Sequence, residues 1–161
     1  MDVKVIVEGS EEHVSLSKSE STFFVEQANS KALVDQKSFC LLTGNSVKAL
    51  VPASDATCTS QTPKTSFDQL VCCYATCIGT AAAAGAKTVA VKPLGVGIPT
   101  FQKMEDGTMI QTGLRGNLFW THPKTSLAAK LATESSSSLN LMVVFVVPGN
   151  AFDDWDHAMD F

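Results

Sequence analysis

Positive charge is the first thing this chain lacks. Its 12 Lys and Arg stand against 16 Asp and Glu, a formal net charge of −4 with a sequence pI of about 5.3. Avid non-specific binding to nucleic acid draws on a basic surface, so bulk charge disfavours RNA as the main partner. Lys87, Lys92, Lys103, Arg115 and Lys124 crowd into one third of the chain and keep a local basic patch open, although solvated surface charge is the preferred account. Long apolar runs are also missing. The longest, Leu141 to Val147, falls far short of the ~20 residues that a membrane-spanning helix requires, and no membrane role is expected. The start, MDVKVIVEGSEEH, has no basic segment, apolar middle or small-residue cleavage site, so no targeting segment is expected. No Cys-x-x-Cys pair occurs. The cysteines, Cys40, Cys58, Cys72, Cys73 and Cys77, are odd in number. Cys73 and Cys77 share a helix face at i, i+4, but without a neighbouring His they read as small buried hydrophobes in a reducing compartment, which points to a cytoplasmic or nuclear protein without a bound metal. Finally, His13, His122 and His157 are dispersed, and none sits in a recognisable motif with Ser or Cys; catalytic residues stay unknown.

What is present describes a globular α/β protein. Hydrophobic residues make up 45% and charged residues 17% of a 161-residue chain, enough for one domain with one sizeable core over 1–161. Val3 to Val7 and Thr22 to Val25 read as strands, with Gly9-Ser10-Glu11-Glu12 ending the first. Phe39 to Leu42 and Val47 to Val51 read as two more, joined by a turn at Thr43-Gly44-Asn45-Ser46. A helix is predicted from Ser66, where Ser66 and Gln69 form a capping-box pattern; Phe67, Leu70, Val71, Tyr74, Cys77 and Ile78 follow helical spacing, and Gly85 is its natural stop. A buried strand, Thr88 to Val91, comes next. Helix, short loop, buried strand is the rhythm of a layered α/β domain. The stretch 102–121 differs in character: Asp106-Gly107 is a hairpin turn signal and Arg115-Gly116-Asn117 a second turn, so it reads as an inserted hairpin segment. Pro123 to Ala132 reads as a helix with Leu127, Ala128 and Leu131 on one face, broken by Ser135 to Ser138. Leu141 to Val147 is apolar on both faces, as a central parallel strand is. Asn150 is then placed to cap a last helix in which Phe152, Trp155 and Met159 share a face and Asp153, Asp154, Asp156 and Asp160 form a solvated one.

The segment richest in functional information is KTVAVKPLGVGIPTF, Lys87 to Phe101. An apolar strand reaches a proline and opens into Gly95-Val96-Gly97-Ile98. Glycines let the backbone approach an anion closely, and successive free N–H groups can then point at it. By itself such a loop is also consistent with a plain turn.

Read in order, the pieces resemble the macrodomain family, whose members bind ADP-ribose. VKVIVEG is similar to the family's first strand and following loop, and FFVEQANS to the strand that ends in its Asn-Ala-Ala-Asn-like motif. SFDQLVCCYATCIGTAAAAGAKTVAVKPLGVGIPTF resembles its helix, the next strand and the loop that wraps the diphosphate. LMVVFVVPGNAFDDW resembles its last strand and helix. The resemblance implies a three-layer α/β/α fold with a central mixed, largely parallel sheet, and a ligand crevice at the carboxyl ends of the strands. It implies that Asn29 contacts the distal ribose, that Gly95, Val96, Gly97 and Ile98 offer backbone N–H groups to the phosphates, that Phe101 packs on the distal ribose, and that Phe152 approaches the adenine. No separate cofactor is implied; ADP-ribose, free or attached to a protein, is the ligand.

Several departures accompany the likeness. The acidic residue that follows the family's first strand falls near Ser10, beside Glu11 and Glu12. Ser30 to Asp35 holds no glycine where the family has a glycine loop, and the helix expected after it is shortened or lost. These losses bear most on catalysis, which needs a positioned water and a ligand held in a reactive geometry. Three expectations result, in descending order: a binding module for ADP-ribose, its protein conjugate or a related nucleotide; a degenerate module that acts through protein or RNA contacts; and a mono-ADP-ribosyl hydrolase.

Overall fold

The computed structural model describes residues 1–27, 39–44, 47–52, 66–94, 96, 100–103, 105–107, 109–112 and 121–160. Along the chain run β1 (Asp2–Val7), α1 (Glu11–Ser17), β2 (Thr22–Gln27), β3 (Phe39–Gly44), β4 (Val47–Pro52), α2 (Ser66–Ala83), β5 (Thr88–Val91), β6 (Thr100–Lys103), β7 (Met109–Thr112), α3 (His122–Ser135), β8 (Met142–Val147), a 3-10 turn (Gly149–Ala151) and α4 (Phe152–Ala158).

Six of these strands form one sheet in the order β1-β8-β5-β2-β3-β4. β1, β8, β5 and β2 are parallel neighbours, whereas β2 with β3 and β3 with β4 pair antiparallel. The sheet is therefore mixed. Its most apolar strand, MVVFVV of β8, lies between two parallel neighbours. Val143, Phe145 and Val147 join the main core, while Val144 and Val146 join a second cluster on the opposite face. A strand buried on both faces has no polar alternation, which is why its sequence shows none. β6 and β7 form a separate antiparallel hairpin around Gly107, whose φ of 89° suits a residue without a Cβ. The hairpin starts at Thr100, two residues before the 102–121 stretch that the sequence sets apart; residues 113–120, including the second turn signal, lie outside the described residues.

The main core joins the sheet to α2, α3 and α4. On α2, Leu70, Cys73, Tyr74, Cys77, Ile78 and Ala81 are buried, a 3.6-residue stripe. The helix stops as its sequence predicts. Gly85 adopts φ 94°, its N–H bonds Ala82 O at 3.1 Å, and the Ala86 N–H reaches Ala81 O at 3.0 Å. That pair of bonds is a Schellman cap, and it turns the chain directly into β5. The smaller cluster, Ile6, Ala90, Val144 and Val146, has Leu16 of α1 and Phe24 of β2 packed against it.

Three local expectations are corrected. The buried face of α3 is not leucine-based: Thr125, Ser126, Ala128, Ala129, Ala132 and Thr133 are buried, while Leu127 and Leu131 are 48% and 39% exposed. Small side chains suit a face packed between α2 and α4. Asn150 does not cap α4. It lies inside the 3-10 turn, where Ala151 N–H already bonds Pro148 O at 3.0 Å, and the cap position falls to Ala151 without a side-chain bond. Third, Gly9 to Glu12 does more than end β1. Ser10 caps α1 by accepting the His13 N–H at 3.3 Å, with Glu11 and Glu12 in the first turn where the helix dipole favours acids. α1 buries no residue fully, so its sequence carries no apolar stripe to announce it.

Candidate functional site

Parallel pairing aligns the carboxyl ends of four strands. The register sets Val7 beside Val147, Phe145 beside Val91, and Val91 beside Val25. Glu8 to Ser10, Pro148 to Asn150 and Lys92 to Leu94 therefore leave the sheet at the same end, where β2 also finishes at Gln27. Main-chain bonds prolong the order past the strand ends: Glu8 N–H to Val147 O at 2.8 Å and Lys92 N–H to Val25 O at 3.0 Å. Gly9 takes φ 81° to turn the chain after β1, and its N–H donates to His13 Nδ1 at 2.9 Å.

A charged bridge crosses this end of the sheet. Lys92 Nζ lies 3.3 Å from Glu8 Oε1 and 3.6 Å from Glu26 Oε2, linking the ends of β1, β5 and β2. All three side chains are about half exposed, so the pairings contribute about 0–1 kcal/mol each. Their significance is positional: the cation is shared between two carboxylates.

Beneath this rim lies a buried polar ring. The Leu94 N–H donates to Tyr74 Oη at 2.8 Å, and Thr125 Oγ1 donates to Leu94 O at 2.7 Å. Tyr74 Oη and Thr125 Oγ1 are 2.6 Å apart. Since the threonine proton is directed to Leu94 O, the tyrosine proton goes to Thr125 Oγ1, with the 3.5 Å approach of Tyr74 Oη to Leu94 O as the longer alternative. Tyr74 also packs edge-on against Phe145 and Trp155, at centroid distances of 6.1 and 6.4 Å. Trp155, fully buried, donates its indole N–H to His122 Nδ1 at 3.1 Å, which requires an unprotonated Nδ1. The first turn of α3 thus supplies both His122 and Thr125.

Of the residues that the sequence singled out, Asn29, Gly95, Gly97 and Ile98 lie outside the described residues. Val96 is partly buried and packs against the main core, as does Phe152, the first residue of α4. These two follow the adjacent strands β5 and β8. Phe101 is in β6, its Cα opposite Gln111, and so belongs to the hairpin. The Tyr74–Leu94–Thr125 ring and the Lys92 bridge are not foreseen by the sequence reading. For the ring a signal existed: a tyrosine in the apolar stripe of a helix must find a partner for its hydroxyl.

Among the described residues, no group of three or more His, Cys, Asp and Glu side chains could hold a metal ion, and no helix is long and apolar enough to cross a membrane. No protein-family model, curated protein or solved structure matches the chain.

Proposed function

We propose that this domain binds ADP-ribose, free or carried on a modified protein, through the glycine-rich segment after β5. The observation that carries the proposal is the convergence of separate sequence blocks. VKVIVEG, FFVEQANS, KTVAVKPLGVGIPTF and LMVVFVVPGNAFDDW resemble macrodomain segments, and they supply β1, β2, β5 and β8, the four neighbouring parallel strands. Blocks far apart in sequence therefore leave the sheet at one end, the end where open α/β sheets bind ligands.

The chemistry proposed follows from the residue types. Main-chain N–H groups of Gly95, Val96, Gly97 and Ile98 take the diphosphate charge. Asn29, which offers donor and acceptor together, suits a ribose diol. Phe101 and Phe152 supply aromatic faces for sugar and base. In this scheme binding comes without a catalytic group, since Ser30 to Asp35 contains none of the glycines that would close a second loop over the ligand.

Titration of ADP-ribose into the purified domain tests the proposal. Saturable binding is expected, weakened about tenfold by Asn29→Ala through loss of one or two hydrogen bonds, and lost when a bulky residue replaces Gly97. Equal binding by wild type and both variants would remove these residues from the site.

A further inference from the structure

We infer that Tyr74 and Thr125 are positioning residues for the glycine-rich segment, holding the residue just before Gly95, Leu94, by both its N–H and its C=O. The inference rests on the proposed role of that segment. It also adds two residues, from α2 and α3, which no ligand contact would identify.

β5 ends at Val91, so the Leu94 N–H and C=O have no strand ladder to join. Both are nonetheless satisfied, and by two different helices: the N–H by Tyr74, the carbonyl by Thr125. The side chain of Leu94 is itself buried at 3% exposure within the main core. One residue of irregular backbone is therefore fixed at three points. Pro93 just before it restricts φ, which reduces the freedom of the approach. Gly95 follows immediately in the chain.

Both hydroxyls reach Leu94 from outside its own segment. Three hydroxyl side chains are buried on α3: Thr125, Ser126 and Thr133. Ser126 and Thr133 bond carbonyls of their own helix, Pro123 O at 2.9 Å and Lys130 O at 2.8 Å. Thr125 instead reaches across to Leu94. Around the ring each proton points the same way, from Leu94 N to Tyr74 Oη, on to Thr125 Oγ1, and back to Leu94 O. Such cycles polarise one another and are costly to break, because each lost member leaves a buried group unpaired. With Leu94 already fixed, less conformational freedom is left to lose on binding, and this is how preorganisation raises affinity.

The test compares wild type with Tyr74→Phe, Thr125→Val and Thr125→Ser. Ile78→Val, a fully buried change one turn along α2 and outside the ring, controls for general destabilisation. Amide hydrogen exchange is read at residues 94–98 and, as internal reference, at Thr88–Val91. Tyr74→Phe and Thr125→Val should accelerate exchange at 94–98 by about tenfold or more relative to the β5 reference, the factor that loss of a bond worth ~1.4 kcal/mol produces. Thr125→Ser, which keeps the hydroxyl, should exchange as wild type, and so should Ile78→Val at 94–98 relative to β5. Unchanged exchange at 94–98, or equal acceleration at both places, would overturn the clamp. In parallel, ADP-ribose titration should show affinity about tenfold weaker in Tyr74→Phe than in Ile78→Val; equal affinities would overturn the link to the ligand. Silence of wild type toward ADP-ribose would overturn the proposed function separately, leaving the exchange result to decide the clamp alone.

Discussion

Single side chains in this domain are set mainly by who satisfies whom. Trp155 is completely buried, and its one polar atom depends on His122. Replacing His122 by Ala strands that indole N–H, and urea unfolding should show a loss of about 1–3 kcal/mol. Gly44 illustrates a purely steric constraint. A Cβ built there would lie 2.6 Å from Phe23 Cδ1 and 3.1 Å from its Cα, so neither side chain nor backbone can accept it without moving. Gly44→Ala should therefore destabilise by about 1–3 kcal/mol, as overpacking does, and a calorimetric melt would register it. Neither constraint is legible in the sequence. The partner of a tryptophan 33 residues away in sequence is a tertiary fact, and Gly44 reads simply as a turn residue. Tyr74 is legible only as a member of an apolar stripe; its hydroxyl, the informative atom, is invisible to periodicity.

At the scale of elements, α2 and the cap that follows it offer two glycines with opposite expected behaviour. Gly79 is within the helix, and nothing lies within 4 Å of the place a Cβ would take, so Gly79→Ala should stabilise by about 0.5–1 kcal/mol through restricted backbone freedom in the unfolded chain. Gly85 is equally uncrowded but sits at φ 94°, so Gly85→Ala should destabilise by about 1–2 kcal/mol for the left-handed backbone alone. Thermal unfolding of the pair separates helix propensity from cap geometry. Elements with strong local signals are also the ones readable in sequence: α2 with its stripe and glycine stop, β5 and β8 with their unbroken apolar runs. α1 escapes notice because it buries nothing fully and is marked only by Ser10 and two acids. The buried face of α3 is misread because leucine outweighs alanine in any hydrophobic pattern, whereas packing between two helices favours the smaller residue.

For the whole molecule, the sheet order decides what can act together. Placing β8 between β1 and β5 brings the chain's last strand beside its first, so that residues 8–10, 92–94 and 148–150 leave the same end. Alternating α/β rhythm and the apolar strands implied a layered domain; the exact neighbours depended on which apolar strand could be buried on both faces, and β8 had the strongest claim. With a net charge of −4 no broad basic field is available to gather anions, so the ADP-ribose binding proposed above would rest on local geometry. The shared cation of Lys92, held between Glu8 and Glu26, is in keeping with that: diphosphate recognition would rest on main-chain N–H groups.

The most direct test is calorimetric titration of the folded domain with ADP-ribose, with AMP and a short RNA as comparators. Saturable binding of ADP-ribose well above that of AMP, and no comparable binding of RNA, is the predicted result. Folded protein that is silent toward ADP-ribose, or that binds RNA in its place, would contradict the proposed function.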